Sequence, residues 1–122
     1  MKLFYQSYFE HYTPEGSPYA PVMIIPGLFG STGNWRGFAK QLSQYTSVIV
    51  LDQRNHGNSP HSPDNTYLDL AGDIEALVAD LGISKVTLCG HSMGGKTAMT
   101  FALANPHLIE KLIVLDLSLI HI

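Results

Sequence analysis

The sequence predicts an α/β fold, a mostly parallel sheet flanked by helices, and three observations carry that expectation. Short apolar runs, Val22-Met23-Ile24-Ile25 and Ser47-Val48-Ile49-Val50-Leu51 among them, have the length and continuity of strands buried on both faces. They alternate with longer segments whose apolar residues recur at helical spacing, the pattern of successive βα units. Glycine and proline clusters punctuate the joins, and no repeat or low-complexity linker breaks the chain, so it reads as one layered domain.

In chain order, residues 3–10 are rich in Phe and Tyr and suit a first strand, after which Thr13-Pro14-Glu15-Gly16-Ser17-Pro18 supplies turn chemistry. The run from Val22 to Ile25 stops at Pro26-Gly27-Leu28-Phe29-Gly30, where the glycines permit a close approach of backbone. Asn34 is expected to cap a helix whose inward stripe is Trp35, Phe38, Ala39 and Leu42. The strand ending at Leu51 delivers Asp52-Gln53-Arg54-Asn55-His56-Gly57-Asn58-Ser59 to the carboxyl edge of the sheet, where α/β proteins bind their ligands. Leu70, Ile74, Leu77, Val78 and Leu81 mark a second helix, closed by Gly82 just past its end. Val86-Thr87-Leu88-Cys89 is a strand, Gly90-His91-Ser92-Met93-Gly94-Gly95 a tight turn, and residues 96–105 a helix stopped by Pro106. Leu112-Ile113-Val114-Leu115 begins a further strand.

Composition narrows the function. The 122 residues are 45% hydrophobic and 14% charged, with a formal charge of -3, as in a globular protein with a core. Lys and Arg are scattered among more numerous Asp and Glu, so no basic stripe exists to attract nucleic acid or anionic lipid. No run approaches the roughly 18 apolar residues of a membrane span, the first residues lack a secretory apolar region, and a cytoplasmic location is expected. Cys89 is the single cysteine, which rules out an internal disulfide and a cysteine metal cluster. Single domains of this class run to about 200–250 residues, so the length points to an incomplete one.

The chemistry concentrates at Ser92. Gly90-His91-Ser92-Met93-Gly94 fits Gly-x-Ser-x-Gly, and its placement directly between a buried strand and a helix is what a nucleophile elbow requires. Such a turn holds the hydroxyl out over the sheet edge under backbone strain, and a Cβ at either flanking glycine would collide with neighbouring backbone. The helix N-terminus beneath Ser92 favours developing negative charge. The Met93 N–H is one candidate oxyanion donor, and Leu28, following Gly27, is placed to give the second.

Three separated motifs then agree: Pro26-Gly27-Leu28-Phe29-Gly30-Ser31, the Asp52 to Ser59 loop, and Gly90-His91-Ser92-Met93-Gly94-Gly95-Lys96. Together they resemble the small α/β-hydrolase-fold serine esterases of bacteria and mitochondria, in order and spacing along residues 21–116. The resemblance implies the N-terminal half of an α/β-hydrolase fold that hydrolyses small-molecule acyl esters or thioesters through an acyl-enzyme on Ser92. It implies no cofactor, and an acid and a histidine later in the chain. Leu28 and Met93 carry over as oxyanion donors. Pro26 stands where the family more often has His, a departure that changes loop stiffness but leaves the Leu28 N–H in place. Asp116 is a candidate acid, since some members take theirs from that strand and more take it from the next. The family's histidine comes after the last strand, beyond Ile122, so the chain itself is expected to be inactive.

After Leu115-Asp116 the family usually continues with Ile or Ala and then Pro, whereas here Leu117-Ser118-Leu119-Ile120-His121-Ile122 follows. Those six residues match one reading frame of a common transposase sequencing adapter. Residues 1–116 are therefore expected to be an incomplete domain and 117–122 a non-native tail. Alone, the chain should expose apolar surface and unpaired backbone and aggregate.

The remaining candidates have plainer readings. His56 is expected to organise its own loop with Asp52 and Arg54 through a local ion pair, and the ring of His91 to point away from Ser92. His11, His61 and His107 read as surface residues. Asp69, Asp73 and Glu75 are assigned to the solvated face of a helix. Trp35 and Phe29 are placed either in the core or along an acyl pocket. Dehalogenation would need Asp in place of Ser92; acyl transfer and carbon–carbon bond hydrolysis stay open, and the competing class is a non-catalytic binding protein of the same fold.

Overall fold

The computed structural model describes residues 1–9, 19–27, 30 and 32–115. Among them five strands form one sheet: β1 Tyr5–Tyr8, β2 Val22–Ile25, β3 Val48–Leu51, β4 Val86–His91 and β5 Ile109–Leu115, in the order β1-β3-β2-β4-β5. β1 runs antiparallel to β3, and the other neighbours are parallel. The helices are α1 Arg36–Leu42, α2 Tyr67–Asp80 and α3 Met93–Ala104.

Strand alternation divides the core in two. Met23, Ile25, Ile49, Leu51, Val86 and Leu88 face one way and meet Ala71, Ile74, Leu77 and Val78 of α2 and Ala98 and Phe101 of α3. Ile24, Val48, Val50 and Cys89 face the other way and meet Ala39 of α1, with Trp35 and Leu42 packed beside them. Helices on both faces explain why the central strands are continuously apolar. Cys89 lies in this second layer, and burial pushes its thiol up.

Several expectations shift. A 3-10 turn, Thr32–Trp35, precedes α1, so Trp35 and not Asn34 is the residue at the helix cap, and it makes no side-chain capping bond. Phe38 is 50% exposed at the flank of the α1 stripe, with an edge-on contact to Trp35. α3 begins at Met93 and not at Lys96, since the turn passes straight into the helix after Ser92. β5 starts three residues earlier than its apolar run, at Ile109.

α2 closes as its sequence suggests. Gly82 has φ +66°, its N–H donates to Ala79 and the Ile83 N–H to Val78, the pattern of a Schellman ending. At the other end Thr66 and Asp69 exchange side-chain and backbone hydrogen bonds as a capping box, which holds the Asp69 carboxyl below its usual range.

Candidate active site

β4 passes into α3 with only Ser92 between them, at φ 55° and ψ -116°. This is left-handed backbone that a side chain adopts only under strain, on the order of 1–3 kcal/mol, held by its surroundings. Those surroundings are on hand. The Ser92 N–H donates to the Leu115 carbonyl of β5 at 3.1 Å, and the Ser92 carbonyl accepts from Gly95 and Lys96 at 2.8 and 3.2 Å. Its hydroxyl makes no capping bond to the helix it precedes, so the backbone is fixed while Oγ is not drawn into α3.

The flanking glycines meet the expected obstacles. A Cβ on Gly90 would run into the Gly94 carbonyl and stand 2.6 Å from the Gly95 Cα, while one on Gly94 would strike the Ile25 carbonyl at the end of β2. From the opposite side, a Cβ on Gly27 would lie 2.9 Å from the His91 carbonyl and 3.1 Å from the Ser92 Cβ. The loop after β2 thus rests directly on the elbow, and the Gly30 N–H closes it into a turn by donating to the Gly27 carbonyl at 2.8 Å. Leu28 and Phe29, within that turn, lie outside the described residues, as does Asp116.

The loop after β3 supplies the frame. The buried Asp52 carboxylate accepts the Thr32 N–H at 2.7 Å and the Asn58 N–H at 2.9 Å, and Gly57, at φ +49°, leaves room where a Cβ would overlap that carboxylate. Ser59 Oγ donates to the Asp52 carbonyl at 2.6 Å and accepts the Phe4 N–H at 2.8 Å, tying in the segment before β1. Gln53 Nε2 donates to the Pro26 carbonyl at 3.1 Å, and its Oε1 accepts from Thr97 Oγ1 of α3 at 2.8 Å.

Two charge assignments made from the sequence are corrected. Arg54 does not pair with neighbouring Asp52; its Nε and Nη2 grip both oxygens of Asp73 on α2 at 2.7 and 2.8 Å, and Nη1 donates to the Asp64 carbonyl. Asp73 is 3% exposed and not on a solvated face, because the guanidinium reaches across the top of α2 to meet it. Hydrogen bonds to Asp73 hold Arg54 above its ordinary value, against the opposing effect of burial. His56 does organise its own loop, with Nδ1 3.0 Å from the Arg54 carbonyl, and the His91 ring lies edge-on to Trp35 at 5.8 Å.

Gln53 and Thr97 went unremarked in the sequence, since their pairing spans 44 residues and neither belongs to a catalytic pattern. A signal for Asp73 did exist: it stands between Leu70 and Ile74, at the margin of the apolar stripe. Among the described residues no group of three or more His, Cys, Asp and Glu is arranged to hold a metal ion, and no helix is long and apolar enough to cross a membrane. A cavity of about 560 Å³ opens at the amino ends of the strands, lined by Tyr19, Val22, Thr46, Thr87 and Glu110, away from Ser92.

Comparison with known proteins gives the family of the fold. The family described as alpha/beta hydrolase fold matches residues 20–121. An sn-1-specific diacylglycerol lipase, ABHD11, of Danio rerio is 50% identical over 100 residues, 80% of this chain and 32% of its own. A putative esterase/lipase of Haemophilus influenzae is 48% identical over 99 residues, covering 80% of this chain and 34% of its own. Among solved structures, a marine microorganism esterase superimposes with a TM-score of 0.85 at 40% identity, over 93% of this chain and 41% of that one. The chain therefore spans about a third of the length of the curated relatives it matches.

Proposed function

Because this chain belongs to the alpha/beta hydrolase fold family, we propose that the protein carrying it is a serine hydrolase that cleaves small-molecule acyl esters or thioesters through an acyl-enzyme on Ser92. The observation that carries the reading is the strained Ser92, set between β4 and α3 with Gly27, Gly90 and Gly94 packed too closely around it for any side chain. Esterase and lipase names among the relatives support the ester as the bond attacked.

In this mechanism Ser92 Oγ adds to the acyl carbonyl carbon and gives its proton to a base. The carbonyl oxygen becomes an oxyanion held by the N–H groups of Met93 and Leu28, each worth about 3–4 kcal/mol of barrier. Collapse breaks the bond to the leaving alcohol or thiol, which takes the proton, and water then releases the acid by the reverse sequence. The approach of Gly27 to Ser92, too near for a Cβ on Gly27 to fit without displacing its neighbours, supports Leu28 as the second donor. We read Asp116 as the candidate acid, since Leu115 before it is bonded to the Ser92 N–H. The base is read as a histidine in the part of the relatives' length that residues 1–116 do not span, with 117–122 a non-native tail. Residues 1–116 are then part of one catalytic domain of cytoplasmic location, acting without a cofactor.

A fluorophosphonate probe on the full-length protein tests this. It should label wild type and fail on Ser92→Ala, with ester hydrolysis reduced roughly 10⁴-fold or more. An unlabelled wild type would point to the non-catalytic binding protein instead. Asp116→Asn should lower kcat if that residue is the acid; unchanged kcat moves the acid to a later strand. Sequencing the source DNA past the codon of Leu115 tests the tail, since native codons there would remove that reading.

A further inference from the structure

We infer that Gln53 is a positioning residue that fixes the end of the β2 segment, at Pro26, against the elbow helix α3 through a single buried side chain, and with it the seat of Ser92. The inference rests on reading Ser92 as nucleophile and Leu28 and Met93 as donors.

Pro26 and Thr32 are each gripped by one of two consecutive residues that follow β3. Gln53 Nε2 donates to the Pro26 carbonyl at 3.1 Å; Asp52 Oδ1 accepts the Thr32 N–H at 2.7 Å. Asp52 is itself held, its second oxygen taking the Asn58 N–H and its flank pressed against Gly57. Pro26 and Thr32 are thereby both tied to the segment after β3.

The other end of the Gln53 amide reaches the elbow. Its Oε1 accepts from Thr97 Oγ1 at 2.8 Å, and Thr97 lies one turn after Met93, whose carbonyl stands 3.3 Å from the same hydroxyl. The orientation of the amide is forced: the Pro26 carbonyl can only accept, so nitrogen must face it and oxygen must face the hydroxyl. Gln53 and Thr97 are both buried. In a buried site these bonds compete with no water, so the amide acts as a spacer of fixed length between Pro26, next to the Gly27 that packs on the elbow, and Thr97, one turn after Met93. An oxyanion hole depends on where its donors stand relative to the developing charge. A shift of about 1 Å in such a group costs on the order of 100-fold in rate.

The test is steady-state hydrolysis of a p-nitrophenyl acyl ester by the full-length protein, with circular dichroism to confirm folding. Gln53→Met keeps the length and removes both hydrogen bonds. It should lower kcat on the order of 10- to 100-fold while KM moves less than about threefold. Thr97→Val should lower kcat in the same way, and Thr97→Ser, which keeps the hydroxyl, should restore it to within about twofold of wild type. The inference is overturned if folded Gln53→Met and Thr97→Val keep wild-type kcat. It is equally overturned if Thr97→Ser falls as far as Thr97→Val, since the loss then follows packing. If Gln53→Met does not fold, the Thr97 pair alone decides. An inactive, unlabelled wild type removes the proposed function and this inference with it, whereas an active wild type with indifferent variants removes the inference alone.

Discussion

The loops at the carboxyl ends of β2 and β3 are fastened by buried polar side chains, whereas β5, whose Leu115 touches Ser92, shows most of its side chains to solvent. Asp52, Gln53, Arg54 and Ser59 each bridge to another segment, to the loop after β2, to α3, to α2 and to the segment before β1. In β5, Leu112, Ile113 and Leu115 are 39, 43 and 37% exposed, and among the described residues only β4 pairs with it. The contrast locates the rigidity of the elbow. Its glycines and its frame belong to β2, β3, β4, the loops that follow β2 and β3, and the first turn of α3, and among the described residues β5 contributes to Ser92 one backbone bond.

The sharpest way to break the fastened side is Asp73→Ala, which leaves the Arg54 charge buried without its partner. Urea unfolding of the full-length protein should show a loss of about 3–5 kcal/mol, and Arg54→Met together with Asp73→Leu should recover most of it. Recovery would show that the cost lay in the orphaned charge; none would assign it to the geometry of the pair. Gly94→Ala drives a Cβ into the Ile25 carbonyl and should cost roughly 1–3 kcal/mol, at the upper end because backbone and not a flexible side chain must yield. Thr66→Ala, at the exposed start of α2, should cost only about 1 kcal/mol.

That cap also carries a pH dependence of known sign. Hydrogen bonds from Thr66 hold Asp69 below its ordinary value, so its contribution is present above the ordinary carboxylate range and is lost as pH falls through the lowered one. The stability of wild type should therefore exceed that of Asp69→Asn at neutral pH, and acid titration should shrink the difference only at that acidic end. On the exposed side, Leu112→Lys with Ile113→Thr should move the 122-residue chain from aggregate toward monomer in size-exclusion chromatography. An unchanged profile would place the sticky surface elsewhere.

Much of the fold was legible because it rests on local pattern. Strands covered on both faces need continuous apolar runs, so Val22 to Ile25 and Val48 to Leu51 marked themselves, and the Gly82 ending of α2 follows from the left-handed backbone that glycine tolerates. The elbow was legible for the same reason, since its steric demands fall on residues two positions to either side of Ser92. The Gln53 amide was not, because what makes it matter is a carbonyl at residue 26 and a hydroxyl at residue 97.

Phe38 and Asp73 mark the boundary. Each stands at the same flank of a helical stripe, three residues after one inward position and one before the next, and hydropathy assigns Phe38 to the core and Asp73 to solvent. The fold reverses both: Phe38 is half exposed, and Asp73 is buried against a guanidinium that arrives from a loop 19 residues earlier. Local pattern is enough to mark most of the strands, the helices and the serine between its two glycines, because each shows within a few residues of chain. The margins follow from packing between distant segments, because a flank position is buried or exposed according to what another segment brings over it.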